Sequence, residues 1–414
     1  MTDITSPTGD VANGAAEPSA AAANGAAPTA SAAFDLSAFR DPALAHKLIE
    51  RIKALAGALA QTERFAQTPI KLMEVCGTHT MAIAKSGIRS VMPDNLILSS
   101  GPGCPVCVTA NEDIDRAIEL AKQPGVIVTT FGDMMKVPGS YSSLAKERSA
   151  GRDVRVVYSS LDALELAAAE PDHMVVFVSV GFETTTPTTA ICVKRAAADG
   201  LDNFAVFSAS KTVPEALRVL ANDPEVGINA LILPGHVSTN IGLAPYQFLA
   251  DEYSIPGTVT GFEPIDVLLG IEELLSMLLD IAHGKPARIS NSYGRAVKAE
   301  GNVVAIAAMN EVFEPVDANW RGLGVMPDTG LKLREQYAAF DALKRVPIDP
   351  PEVRETPGCQ CGQVLRGILL PPECRLFGRG CTPEHPVGPC MVSSEGSCAA
   401  FYRYRDVTME PSSV

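Results

Sequence analysis

The cysteines of this 414-residue chain are unevenly placed, and they are the side chains best suited to chemistry. Six of the ten cysteines fall near the C-terminus, in a segment that also holds seven Gly and six Pro. One CxC opens the segment and gaps of 13, 7, 9 and 8 follow, so that the six are Cys359, Cys361, Cys374, Cys381, Cys390 and Cys398. Iron–sulfur clusters take four Cys thiolates, whereas zinc sites favour close CxxC pairs. The segment therefore predicts a [4Fe-4S] cluster, with zinc as the chemical alternative.

The other cysteines include two groups that could carry chemistry. Cys76 and His79 lie three residues apart at the start of a predicted helix, where the helix dipole favours a thiolate that suits iron, zinc or copper. A buried Cys beside a His that caps a turn is the structural alternative. Cys104 and Cys107 form a CxxC between a strand and a helix, which is typical of a redox dithiol, half of a zinc site or two inert core thiols. Cys192 lies in an apolar helical run and is predicted to pack in the core.

The elements that must position these residues alternate between strands and helices. Short apolar runs rich in Val and Ile predict a parallel α/β fold, with strands at Ile70–Val75, Leu96–Leu98, Val126–Thr130, Val154–Tyr158, Met174–Val180, Phe204–Phe207 and Leu231–Leu233. Helical spacing and cap residues predict helices at 41–65, Asn111–Lys122, Ser160–Ala169, Thr188–Ala198, Pro214–Ala221 and Leu268–Ala282. After residue 300 the chain is expected to be irregular.

Polar clusters follow most of the predicted strands. Ligands of open α/β sheets bind beyond the carboxyl ends of parallel strands, so these clusters predict one cleft. Its candidate catalytic residues are Cys76, His79, Cys104, Cys107, Glu183 and His236, and Cys104 and Cys107 are also candidate metal ligands. For His236, a hydrogen-bonded structural role is the open alternative.

Composition excludes several classes of function. The net charge of −14, from 34 basic and 48 acidic residues, argues against a general nucleic-acid binder and against docking on an anionic membrane. No apolar run approaches the ~20 residues of a membrane span, and neither a P-loop nor a GxGxxG motif occurs. The Ala-rich start of the chain is predicted to be a disordered tail. We expect a cytoplasmic protein, because clustered cysteines in a reducing compartment favour metal or redox chemistry.

Taken together, the motifs resemble those of the HypD family of [NiFe]-hydrogenase maturation factors. The shared phrases are MEVCGTHT (73–80), GPGCPVCVT (101–109), TFGDMMKVPGS (130–140), VGFETTTP (180–187), PGHVS (234–238) and the cysteine-rich tail. They occur in the family's order over about residues 70–400. The resemblance implies two similar parallel-sheet α/β domains and an irregular C-terminal iron–sulfur domain. On that basis we divide the chain into a disordered tail (1–38), a helix packing on the C-terminal domain (39–68), α/β domains (69–165 and 166–300) and a cluster domain (301–414).

The resemblance also implies the task of individual residues. The chain would be a scaffold with redox capacity, rather than a conventional turnover enzyme, for assembly of an Fe(CN)2CO unit. Cys76 would hold the iron together with a thiolate of the small chaperone HypC, with His79 as a neighbouring or proton-handling group. HypE, charged by HypF, would supply cyanide, and Cys104 and Cys107 would be a redox dithiol.

The cluster surroundings are similar to those of ferredoxin:thioredoxin reductase. That likeness implies a [4Fe-4S] cluster on Cys359, Cys374, Cys381 and Cys398, with Cys361 and Cys390 as a second redox pair. Two other functions stay open, namely a cluster-dependent thiol–disulfide oxidoreductase and a zinc-stabilised interaction module.

Overall fold

Two parallel β-sheets form the centre of the fold in a computed structural model that describes residues 40–349 and 351–407. The predicted disordered tail, residues 1–38, lies outside the described residues. The strands are β1 (Ile70–Glu74), β2 (Leu96–Ser100), β3 (Val126–Thr130), β4 (Val154–Val156), β5 (Met174–Ser179), β6 (Phe204–Ser208), β7 (Ala230–Leu233), β8 (Gly257–Val259), β9 (Ile289–Asn291), β10 (Phe313–Trp320) and β11 (Gly324–Leu333). All seven predicted strands are present within one or two residues of their expected ends, and the α/β fold class is confirmed.

Helices connect these strands. They are α1 (Pro42–Leu59), α2 (Gly77–Lys85), α3 (Pro105–Val108), α4 (Asn111–Lys122), α5 (Leu144–Ser149), α6 (Ser160–Ala169), α7 (Thr186–Asp199), α8 (Val213–Ala221), α9 (Gly235–Ile241), α10 (Gln247–Tyr253), α11 (Pro264–Ala282), α12 (Val303–Val312), α13 (Ala342–Arg345), α14 (Cys361–Leu365), α15 (Pro389–Val392) and α16 (Ser397–Arg403). Short 3-10 turns complete the connections. Within the described residues, no helix is both long and apolar enough to cross a membrane.

The two sheets interleave along the chain. The five-stranded sheet has the order β2-β1-β7-β8-β9, and the four-stranded sheet has the order β4-β3-β5-β6. Each sheet therefore takes strands from both sides of the predicted boundary between residues 165 and 166. The interior strand β1 pairs in parallel with β2 and with β7, and β7 lies more than 150 residues later in the chain than β1. Because all of these strands are buried parallel strands, their apolar pattern alone does not specify which of them pair.

A regular segment precedes the cysteine-rich region, where the sequence led us to expect irregular structure from residue 300 onward. Helix α12 packs on α7, and β10 and β11 form an antiparallel hairpin. Bridges between Lys211 and Gly330 and between Val206 and Asp341 attach this segment beside β6. Polar residues alternate along β10, so the apolar pattern of a buried strand is absent there. From Pro357 the chain is irregular as predicted, with helices of only four to seven residues.

Helix α1 begins at the predicted N-cap and first turn. Asp41 Oδ1 accepts the backbone N–H groups of Ala43 and Leu44, and Pro42 occupies the first turn. Its buried face, which includes Leu48 and Ile52, packs on α11 in one apolar cluster. We had expected this helix to pack on the C-terminal domain. Among the described residues, the main packing partner of α1 is the apolar face of α11.

Candidate functional site

Loops at the carboxyl ends of both sheets surround a cavity of about 650 Å3, which we call the central cleft. The sequence predicted this convergence. The walls come from five motif loops and from a C-terminal segment, 393–395. Among the lining residues are Cys76, Thr78, Gly103, Pro105, Asp133, Gly181, Thr184, His236, Asn240, Ser393 and Glu395.

Cys76 contributes a free thiol to the cleft wall and occupies the N-cap position of α2. Only 7% of the residue is exposed. The loops that carry Cys76 and Cys104 touch, because Gly77 N–H donates to the Gly103 carbonyl at 3.0 Å. A Cβ on Gly103 would lie 2.1 Å from the Cys76 nitrogen, so a side chain there would force the loops apart.

The electrostatics at Cys76 differ from the sequence expectation of a thiolate. Burial, and to a smaller degree the charge of Glu395, raises the pKa of the Cys76 thiol to about 12. Hydrogen bonds from the backbone at the start of α2 oppose this rise but do not overcome it. At neutral pH the metal-free site therefore holds a protonated thiol, which a bound metal ion would deprotonate.

Glu74 lies at the end of β1 and supports the Cys76 loop. Its Oε2 accepts the Cys76 backbone N–H at 3.1 Å, and its Oε1 accepts the hydroxyl of Thr80 at 2.5 Å. Burial raises the pKa of Glu74 to about 7, while these hydrogen bonds and the nearby Arg89 oppose the rise. Glu74 is therefore a buried acid that can hold or release a proton near neutral pH, two residues from the thiol.

The two candidate histidines both pack against the Phe262 ring. His79 is fully buried, and its Nε2 donates to the Gly261 carbonyl at 3.0 Å and lies 2.8 Å from the Thr260 hydroxyl. Burial lowers the pKa of His79 to about 4, so its ring is neutral at pH 7. His79 is not among the residues that line the central cleft.

His236 lines the central cleft at its exposed rim. Its ring centroid lies 4.1 Å from that of Phe262, and its Nδ1 lies 3.4 Å from the Thr78 hydroxyl. That hydroxyl donates to Glu395 at 2.6 Å. Of the two histidines, His236 is therefore the one in a position to meet a bound group.

Cys104 and Cys107 are joined as a disulfide, and both are buried. The hydroxyl of Ser393 lies 3.3 Å from Cys104 Sγ, which brings the C-terminal segment against the disulfide. Asp133 fixes this contact, because its Oδ2 accepts the hydroxyl of Ser393 at 3.1 Å and the N–H and hydroxyl of Ser394 at 2.9 and 2.8 Å. The segment that follows Cys390 thus closes over the disulfide.

Glu183 supports the cleft from behind. Its carboxylate accepts the Val213 N–H at 3.0 Å, at the start of α8, and is not among the cleft-lining atoms, whereas Gly181, Phe182 and Thr184 are. Burial raises the pKa of Glu183 to about 7. Its observed contacts are those of a group that joins the motif loop to α8.

All six C-terminal cysteines line one cavity, which we call the six-cysteine cavity. Its other walls are apolar and include Val364, Leu376 and Met391. Gly388 comes so close that a Cβ there would lie 2.7 Å from Cys359 Sγ, and Val387 N–H donates to Cys381 Sγ at 3.3 Å. An all-thiol donor set with nearby backbone N–H groups in an apolar shell fits an iron–sulfur cluster.

Within the described part of the chain, no three His, Cys, Asp or Glu side chains are arranged to share one metal ion. Burial raises the pKa of the Cys390 and Cys398 thiols, and a bound metal would displace their protons.

Some site residues gave no signal in the sequence. The partners of the Cys76 loop, Glu74 and Thr78, lie inside quoted motifs, but nothing in the motifs marks them as supports of the thiol. Glu395 belongs to the tail and meets the CGTHT loop across more than 300 residues, which no local pattern indicates. Cys192 is fully buried beside Ser160, so its predicted core position is confirmed.

Comparison with known proteins gives consistent likenesses along the chain. Residues 44–405 match the family model HypD, described as the hydrogenase formation hypA family. Hydrogenase maturation factor HypD of Rhodobacter capsulatus is 46% identical over 373 residues, which cover 89% of this chain and 97% of that protein. The Escherichia coli factor of the same name is 43% identical over 373 residues, covering 90% and 98%. A putative hydrogenase expression/formation protein of Methanocaldococcus jannaschii is 45% identical over 369 residues, covering 89% and 99%.

Proposed function

The chain belongs to the HypD family of hydrogenase maturation factors, and we propose that it is the scaffold on which an Fe(CN)2CO unit is assembled. The observation that carries this proposal is the setting of Cys76. Its free thiol stands in the wall of a cleft of about 650 Å3, where the Cys104–Cys107 disulfide lies behind the same loops. Soft thiolate ligands suit iron that carries strong-field diatomic ligands, and Cys76 offers such a ligand at 7% exposure.

Cys76 would bind the substrate iron as a thiolate, together with a thiolate of HypC. The thiol is protonated in the metal-free protein, so iron binding releases its proton. Glu74, with a pKa of about 7, hydrogen-bonds the same loop and can take up a proton inside the protein. His79 is neutral and buried behind the cleft, so it would support the Cys76 loop without touching the iron. His236 faces the cleft itself.

The six-cysteine cavity would hold the groups that supply electrons for assembly of the Fe(CN)2CO unit. Cys359, Cys374, Cys381 and Cys398 would hold a [4Fe-4S] cluster, which transfers single electrons when bound. Cys361 and Cys390 would form the second redox pair beside it. Ser393 follows Cys390 by three residues and touches Cys104, and this contact supports a short path to the disulfide, whose reduction needs two electrons.

Protein partners would meet at the mouth of the central cleft. Tyr158 lines this mouth with 92% of its surface exposed, and exposed aromatic side chains are typical of binding sites for other proteins. HypC would bring its thiolate there, and HypE, charged by HypF, would deliver cyanide. We place this chemistry in the cytoplasm, where a reducing environment keeps a disulfide reversible.

The test is infrared spectroscopy of the chain co-purified anaerobically with HypC. Cyanide and carbon monoxide bands are expected, together with iron and acid-labile sulfide. Cys76→Ser should remove the bands and leave the brown cluster absorbance, whereas the core variant Cys192→Ser should keep both. Bands that persist in Cys76→Ser would reject Cys76 as the iron ligand, and a complex without bands from hydrogenase-competent cells would reject the scaffold.

A cluster-dependent thiol–disulfide oxidoreductase is the second candidate function. It is favoured by the contact between the six-cysteine segment and the Cys104–Cys107 disulfide, and it gives Cys76 no task. Rapid ferredoxin-driven reduction of a protein disulfide, unaffected by Cys76→Ser, would support this function over the scaffold.

A further inference from the structure

Arg321 is a buried cation whose charge lacks a carboxylate partner. It follows β10 at the turn of the hairpin and is only 2% exposed. Its Nε has no hydrogen-bond partner, its Nη1 reaches only the Pro138 carbonyl at 3.5 Å, and no ion pair of the described residues includes it. A buried charge without compensation is costly, so some negative group is expected to offset this one.

The surroundings of Arg321 point to the cysteines. Its backbone N–H donates to the Val108 carbonyl at 2.9 Å, at the end of the short helix that carries Cys107. The adjacent Gly322 is packed so tightly that a Cβ there would lie 2.5 Å from Gly362 Cα and 3.7 Å from Cys361 Sγ. A cavity of about 450 Å3 is lined by Arg321 together with Cys359 and Cys361.

The charge of Arg321 favours thiolates in its surroundings. Arg321 lines the same cavity as Cys359 and Cys361, and a nearby cation favours the thiolate over the protonated thiol because opposite charges attract.

We propose that the Arg321 guanidinium is the counter-charge of the cluster thiolates and makes reduction of the cluster easier. The inference rests on the proposed function, since it requires a cluster in the six-cysteine cavity. One added electron increases the negative charge of the cluster and its thiolates by one, and a cation held in the dry interior stabilises that state more than the oxidised state. Arg321 is thus a charge-compensating residue that binds neither iron nor substrate.

The experiment compares the full-length protein with Arg321→Gln and Arg321→Lys. Each protein is titrated anaerobically with dithionite, and the reduced cluster is followed by electron paramagnetic resonance. Removing the charge should lower the equilibrium constant for cluster reduction at least tenfold, which is a shift of about 59 mV to more negative potential for one electron. Arg321→Lys should keep the wild-type potential. The control Arg334→Gln removes a half-exposed Arg just after the same hairpin and should change nothing.

Iron and sulfide analysis separates the possible outcomes. A wild-type protein without iron and sulfide would overturn the cluster and this inference together. A fully loaded Arg321→Gln with the wild-type potential would overturn only the role of Arg321. Loss of the cluster in Arg321→Gln with retention in Arg321→Lys would support a charge requirement. Loss in both variants would show that the shape of Arg321, and not its charge, is needed, and would overturn the inference.

Discussion

Gly103→Ala tests the close contact that builds the wall of the central cleft. The new Cβ would lie 2.1, 2.3 and 2.5 Å from backbone atoms of Cys76 and Val75, whereas ordinary contact begins at 3.4 Å. The loops must therefore separate by 3.4 − 2.1 = 1.3 Å, which takes the 3.0 Å hydrogen bond from Gly77 to Gly103 beyond bonding distance. Overpacking costs about 1–3 kcal/mol and the lost bond about 0.5–1.5 kcal/mol, so we expect unfolding free energy to fall by about 2–4 kcal/mol.

Urea unfolding followed by circular dichroism measures this change, and mass spectrometry of alkylated protein measures the exposure of Cys76. The opened loops should make Cys76 react faster with iodoacetamide in the native state. The control is Gly57→Ala in α1, where a Cβ meets nothing within 4 Å and where Ala should stabilise the helix by about 0.5–1 kcal/mol. A Gly103→Ala protein with wild-type stability and unchanged Cys76 reactivity would refute the close approach of the two loops.

Two further changes probe the supports of the site. Burial raises the pKa of Glu183 from its ordinary value of 4.5 to about 7, so the folded state binds this proton more tightly and stability falls as pH rises through this range. In Glu183→Gln, the unfolding free energy measured with urea should therefore decrease less between pH 5 and 8 than in the wild type. An unchanged pH dependence would contradict a raised pKa for Glu183. Asp133→Ala removes three hydrogen bonds to Ser393 and Ser394. Dithiothreitol should then reduce the Cys104–Cys107 disulfide faster, by about fivefold for each kcal/mol of stabilisation that the hydrogen bonds gave the 393–394 segment. Thiol alkylation measures this rate. An unchanged rate would show that the segment does not protect the disulfide.

The sequence was sufficient to predict the strands and the side of the sheets on which chemistry gathers. Strands buried on both faces are predominantly apolar and β-branched, as in Val126–Thr130, where all five residues are buried. The polar residues that follow such runs then fall at the carboxyl ends of the strands. This regularity predicts that Cys76 and His236, which follow β1 and β7, share one cleft, and both line it.

What could not be predicted depends on contacts between distant parts of the chain. The pairing of β1 with β7 is a choice among equally apolar strands, and the tail residue Glu395 reaches Thr78 only after folding. The sequence also cannot show whether burial or the helix terminus has the larger effect on the pKa of the Cys76 thiol. In the structure, burial has the larger effect and raises this pKa. Glu183 follows a strand as Cys76 does, yet its carboxylate turns toward α8 and away from the cleft.

The interleaved path of the chain bears on the timing of folding during synthesis. Strand β1 emerges early, but its neighbour β7 and the outer strands β8 and β9 are made some 130 residues or more after β2. The CGTHT loop therefore leaves the ribosome long before the sheet that shapes its pocket can close, because non-local pairing must wait for the later strands. A nascent or truncated chain ending near residue 220 would carry Cys76 on an incomplete sheet. The surroundings of Cys76 are thus complete only after β7, β8 and β9 have been made.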